Sequence, residues 1–126
     1  PLLRSHLDRH GVQDIEIIWE RDPMHATRLD PDHPWTQWAI ASLNTTSGEN
    51  ISVIPNLGGS LPNDVFADVL GLPTIWVPHS YAGCSQHAPN EHILEGTTRS
   101  ALRLMTGLWW DLGAGNAPKH AKNVSQ

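Results

Sequence analysis

The run Ile51-Ser52-Val53-Ile54-Pro55-Asn56-Leu57-Gly58-Gly59-Ser60-Leu61-Pro62-Asn63 continues through Asp64 to Gly71 and ends in Thr74-Ile75-Trp76-Val77-Pro78. Its two short apolar pieces, residues 51–55 and 74–78, read as strands. Between them Asn63 or Asp64 is placed to cap a short helix over residues 65–70, and Gly71 to end it. Strand, loop, helix and strand in that order make a parallel crossover unit, which is right-handed by strong precedent. The expected fold class is therefore α/β, a parallel βαβ crossover with packed helices.

Each strand of such a unit leads into a loop with chemical potential. Gly58 and Gly59 remove side chains, so the backbone can approach a ligand closely. A glycine loop feeding a helix N-terminus presents N–H groups to an anion, and the Ser60 hydroxyl adds a donor. The plain alternative is an ordinary strand-to-helix turn. After the second strand comes Gly83-Cys84-Ser85-Gln86-His87-Ala88-Pro89-Asn90-Glu91. A neutral imidazole at His87 can bind a divalent metal through one nitrogen while the other is held by an acceptor. Glu91, four residues on, is placed to be that acceptor or to anchor the loop. Parallel strands end on one sheet edge, and open α/β sheets bind ligands beyond the carboxyl ends of their strands. On that geometry the Gly58-Gly59-Ser60 turn and His87 face one crevice.

The motifs Gly58-Gly59-Ser60-Leu61-Pro62 and His87-Ala88-Pro89-Asn90-Glu91, with 27 positions from Ser60 to His87, resemble the C-terminal part of the aminoacylase/carnosinase/carboxypeptidase-G family of dinuclear zinc peptidases. The likeness runs from about Asp30 to Gly113. It implies a partial zinc-peptidase catalytic domain over residues 30–113, preceded over residues 1–29 by the last helix and strand of a lid domain that mediates homodimerisation. It implies that His87 is a ligand of one of two zinc ions, with cobalt and manganese as alternative metals. It implies that Gly58, Gly59 and Ser60 bind the carboxylate end of a peptide or N-acyl amino acid, and that Asn90 and Glu91 shape the ligand loop. Two departures stand out. Asn56 and Leu57 are neutral where some relatives carry a basic residue before the glycines. The family's other histidine ligand, bridging aspartate, acidic ligands and general-base glutamate have no counterparts here: there is no His-x-Asp followed by a strand and no Glu-Glu pair. The expectation is a C-terminal portion, about the last third of such an enzyme, with no complete catalytic set and no activity in isolation.

Outward from this centre the pattern is mostly helical. Leu2, Leu3, His6 and Leu7 share a helical face that Gly11 closes. Residues 14–21 read as a strand, with Ile15, Ile17 and Trp19 on one face and Glu16 and Glu20 on a solvated one. Residues 22–34 carry three prolines and several charges and read as a linker, with His25 and His33 solvated. Pro34 suits the first position of a helix reaching Thr46. Its Trp35, Trp38, Ala39, Ser42 and Leu43 recur at helical spacing as core. A last helix, about residues 95–112, aligns Ala101, Leu104, Met105, Leu108 and Leu112 for packing against a sheet, with Trp109 widening the stripe and Gly113 stopping it. Residues 114–126 form a polar tail, expected to be disordered.

A chain of 126 residues with 39% hydrophobic residues fits one modest core, and six tryptophans add to it. Net charge of −5 gives no compositional support for nucleic acid or an anionic membrane. No apolar run approaches a membrane span and no signal peptide is seen. Cys84 is the single cysteine, which excludes an intrachain disulfide and suits the cytoplasm. Beside the metallohydrolase stand two other readings. One is a thiol or serine hydrolase using Cys84 or Ser80 with His79 or His87, which lacks a Gly-x-Ser-x-Gly elbow. The other is a non-catalytic α/β binding or oligomerisation module.

Overall fold

The computed structural model describes residues 2–18, 24–55, 57–59 and 61–119. Among these the chain forms three α-helices, α1 (Leu2–Arg9), α2 (Pro34–Ser47) and α3 (Glu95–Gly113), and a five-residue π-helical turn, Val65–Val69. The termini of α2 follow from local chemistry. Proline at the first helical position has no N–H to leave unpaired. Ahead of it His33 sits in extended backbone, and its Nδ1 accepts from the Trp35 N–H at 3.2 Å. His33 is half-buried here, a helix cap rather than the solvated side chain its linker setting suggests. At the other end Gly48, at φ 78°, donates its N–H to the Asn44 carbonyl at 2.9 Å. Such left-handed backbone favours glycine. The Asn44 side chain then accepts from the Ile51 N–H at 2.8 Å, tying the departing chain to the last turn of the helix.

α2 and α3 pack on each other, the helix pair in contact among the described residues. Ala39, Ser42 and Leu43, spaced i, i+3 and i+4, form the buried stripe of α2. Gly107 on α3 lies at the crossing, where a methyl group in place of its hydrogen would overlap the Thr46 side chain. The Arg103 guanidinium donates to the Ser47 carbonyl at 3.4 Å and closes one end of the contact. Trp35 and Trp38 meet edge to face at 5.5 Å. The opposite side of α3 carries Leu102, Trp109 and Trp110 in the open.

The α/β expectation is overturned. No strand, and hence no sheet or βαβ crossover, occurs among the described residues. A strand persists only when a neighbour takes up its N–H and C=O groups. Residues 52–55 and 73–80 make no backbone–backbone hydrogen bond among the described residues. Val53, Ile54, Ile75 and Trp76 accordingly remain exposed. The apolar composition of these two pieces is suited to a sheet, but neither pairs with the other. The strand expected over residues 14–21 also does not form in its described part. The carbonyls of Ile15 within it and of Val12 just before it accept from the Arg4 guanidinium at 2.6 and 2.9 Å, and Arg4 also pairs with Asp8 at 2.8 Å. A side chain of α1 thus occupies an acceptor that a neighbouring strand would need. Trp19 and Glu20 lie outside the described residues.

The connecting element differs as well. Over Val65–Val69 the chain winds wider than an α-helix, with the Leu70 N–H bonding to the Val65 carbonyl at 3.0 Å. Asp64 makes no capping bond to this turn. Its Oδ2 instead accepts from the His25 N–H at 3.1 Å, 39 positions away in sequence. Gly71, at φ 63°, follows the turn as expected. Of the polar tail, residues 114–119 are described and contain no helix or strand, while 120–126 lie outside. No helix among the described residues is long and apolar enough to cross a membrane.

Candidate functional site

Residues 81–92 make a loop of successive turns whose two ends are bonded together. The Cys84 N–H bonds to the Tyr81 carbonyl at 3.0 Å, Ala88 to Ser85 at 2.9 Å and Glu91 to Ala88 at 3.3 Å. The His92 N–H then bonds to the Cys84 carbonyl at 3.0 Å and closes the loop. Ser85, His87 and Asn90 lie at φ 57°, 62° and 64°. Left-handed backbone is uncommon for a residue with a Cβ, more tolerable for asparagine and histidine than for serine. All the non-glycine residues with positive φ in the described chain fall within these six positions. Cys84, at the base, is buried.

Side chains lock the same loop. His92 Nδ1 lies 2.7 Å from the Asn90 carbonyl, and His92 Nε2 lies 2.7 Å from the Tyr81 hydroxyl. A carbonyl oxygen can only accept, so Nδ1 carries the proton. In the neutral ring Nε2 then offers its lone pair, and the tyrosine O–H donates to it. The two rings stand edge to face with centroids 6.0 Å apart. Gly83 makes room for this arrangement, because a Cβ there would fall 2.8 Å from Cε2 of the Tyr81 ring.

His87 sits exposed near the apex of the loop. The Glu91 carboxylate accepts from the His87 backbone N–H at 3.4 Å. It therefore holds the backbone of the histidine and leaves the ring free of protein hydrogen bonds among the described residues. Asn90 contributes its carbonyl to His92, with its backbone in the left-handed turn. The structure thus brings His87, Asn90 and Glu91 into one loop.

Gly58 and Gly59 are exposed, and a Cβ at either would meet nothing within 4 Å. Neither needs glycine for its backbone angles or for room against this chain. Ser60 and Asn56 lie outside the described residues. The helix N-terminus expected behind the glycines is replaced by the five-residue π-helical turn, too short for an aligned macrodipole. The shared sheet edge that was to bring His87 and Gly58-Gly59 together is absent along with the sheet. No hydrogen bond joins these glycines to residues 81–92 among the described residues.

A zinc site needs about three protein ligands. No group of three histidine, cysteine, aspartate or glutamate side chains is placed to hold a metal among the described residues. Cys84 is buried, and no hydrogen bond joins it to His79 or His87 among the described residues. An open groove of about 520 Å³ lies near the start of the sequence, lined by Leu3, Arg4 and residues 13–17, with no histidine in it.

Sequence reasoning missed Tyr81 and His92. The visible signal was an aromatic residue and an imidazole bracketing a turn-rich run, but their contact depends on the loop closing. No family model, curated protein or solved structure matches the chain.

Proposed function

We propose that this chain is the C-terminal portion of a metal-dependent hydrolase that cleaves amide bonds of peptides or N-acyl amino acids. The observation that carries the reading is His87: an exposed imidazole with an uncommitted ring, on a loop held from both ends. The paired motifs around Gly58-Gly59-Ser60 and His87 support it. When bound, a pair of zinc ions, or cobalt or manganese, would supply a water activated at neutral pH and a polarised scissile carbonyl. His87 would hold one ion through a ring nitrogen. Asn90 and Glu91 keep the histidine backbone in place. Gly58, Gly59 and Ser60 would receive the substrate carboxylate through backbone N–H groups and a hydroxyl. In this reading the other ligands and the general base lie outside this chain, and residues 1–29 belong to the lid that makes the dimer contact.

A second reading has a specific observation in its favour. The buried apolar residues are only Ala39, Leu43 and Cys84 among those described, while Leu102, Trp109 and Trp110 stand open on α3. A binding or oligomerisation module would cover such a face with a partner. In the hydrolase reading, the rest of the enzyme covers it.

The test compares the 126-residue chain with the product of its complete reading frame. The short chain should bind zinc weakly and hydrolyse nothing. The complete product should hydrolyse peptides or N-acyl amino acids in a chelator-sensitive way. His87→Ala in it should abolish turnover and lower zinc from about two equivalents toward one, since a single first ligand is lost. Full zinc content and normal turnover in that variant would sink the reading.

A further inference from the structure

We propose that Tyr81 and His92 are positioning residues that clasp the 84–91 loop and hold His87 ready for metal, an inference that rests on the reading of His87 as a ligand. Three independent observations meet at this clasp. The first is the relay from the Tyr81 hydroxyl through both ring nitrogens of His92 to the Asn90 carbonyl, each contact 2.7 Å long. The second is Gly83, whose missing side chain is the space the Tyr81 ring occupies. The third is the left-handed backbone at Ser85, His87 and Asn90, all inside the span that the clasp closes.

Backbone in sparsely populated regions persists only where its surroundings over-determine it. Two bonds act directly on the apex, from the His87 N–H to the Glu91 carboxylate and from the Ala88 N–H to the Ser85 carbonyl. Both depend on residues 84–91 staying curled. The His92 side chain fixes that curl by holding residue 90 on one side and residue 81 on the other. Without it the loop ends are joined by the single His92-to-Cys84 backbone bond.

His92 is also unsuited to bind metal in this state. Its Nδ1 carries a proton and its Nε2 lone pair accepts from tyrosine, so neither nitrogen is free for a cation. The two histidines of the loop therefore have separate roles: His87 is open, and His92 is spent on shape. This division gives the proposal its signature. His92 must be the Nδ1–H tautomer, and it must stop being so when the tyrosine hydroxyl is removed.

Nitrogen-15 NMR of the labelled 126-residue chain at about pH 8, where an ordinary imidazole is neutral, reads that tautomer directly. The expected result is a protonated Nδ1 and an unprotonated Nε2 at His92, and a mixture of tautomers in Tyr81→Phe. That variant keeps the ring over Gly83 and removes one hydrogen bond. Amide exchange at Ala88, Glu91 and His92 should then rise about three- to tenfold, the range expected for one net hydrogen bond, with α2 and α3 unchanged. An Nε2–H tautomer in the parent chain overturns the clasp, and this readout stands even if the variant does not fold. Unchanged loop exchange in Tyr81→Phe overturns it too. Zinc chloride titration of the complete product separates the two claims. Tyr81→Phe should weaken zinc binding about three- to tenfold on the same grounds. Unchanged zinc affinity, in a protein that loses zinc on His87→Ala, overturns the positioning role and leaves the metal reading standing. Full zinc content in His87→Ala overturns the metal reading and the proposal with it.

Discussion

The α2–α3 pair and the segment over residues 51–80 are both rich in large apolar side chains, yet the pair has a buried stripe and the segment has none. The difference lies in how each satisfies its backbone. A helix bonds its own N–H and C=O groups within a few residues, so it exists before it finds a partner and can then offer a face. A strand has no such independence. Residues 52–55 and 73–80 have no backbone–backbone partner among the described residues, and none of their side chains is buried.

The largest test of that contrast is a matched pair of truncations. Leu43 is 5% exposed and Ile54 is 69% exposed. Leu43→Ala should destabilise by about 2–3 kcal/mol, combining lost transfer energy with a cavity. Ile54→Ala should stay within about 0.5 kcal/mol. Urea denaturation followed by tryptophan fluorescence measures both. A large loss at Ile54 would mean that residues 51–55 pack in solution, and the contrast would collapse.

Next in size is the helix crossing. Gly107→Ala gains about 1 kcal/mol of helix propensity but drives a methyl group into Thr46. Overpacking of this kind costs about 1–3 kcal/mol, so the net change should lie between about zero and a loss of about 2 kcal/mol. Thr46→Ala in the same chain should relieve the overlap and let the propensity gain emerge. The readout is the coupling in a double-mutant cycle. Strict additivity would show that the helices do not cross at this residue.

What could be read from sequence divides along the same line. The α2 helix was expected over residues 34–46 and runs Pro34–Ser47; α3 was expected over about residues 95–112 and runs Glu95–Gly113. Their signals, a proline start and an apolar period near 3.6, act within a turn or two. The strands at residues 51–55 and 74–78 rested on short apolar runs and that at 14–21 on alternation, and neither signal says whether a partner is within reach. The candidate site splits likewise. The glycines and turn-forming residues of the 83–91 run announced a tight loop carrying His87. The tyrosine–histidine contact that closes it spans 11 positions and had no periodic signature. The facing of Gly58-Gly59 toward His87 depended wholly on a sheet, and none forms among the described residues.

A smaller effect probes the start of α2. His33→Ala removes the acceptor for the Trp35 N–H. Loss of a helix N-cap costs about 0.5–2 kcal/mol, and the 3.2 Å bond of a half-buried imidazole places this one near the lower end. His33→Asn, with a side-chain oxygen suited to the same position, should restore most of the loss. Thermal melts of the two variants decide it. Equal stability of His33→Ala and the parent would return His33 to the linker as a solvated side chain.

The smallest effect on stability should come from Gly58→Ala, and its smallness is informative. Neither Gly58 nor Gly59 has the positive φ that demands glycine, and a Cβ at either meets open space. Replacing a glycine where its backbone is compatible with alanine restricts the unfolded chain and stabilises by about 0.4–1 kcal/mol. Gly58→Ala should therefore melt at or slightly above the parent temperature, whereas Gly71→Ala, at φ 63°, should be destabilised by about 1 kcal/mol. If Gly58 faces a substrate carboxylate, as the proposed function holds, the same added methyl group would crowd the ligand. Hydrolysis by the complete product would then fall while stability held or rose. That opposite movement marks a glycine kept open for a ligand. Stability and turnover falling together would instead mean that residues 57–59 pack against something in the folded protein, and the openness of this segment would belong to the isolated chain alone.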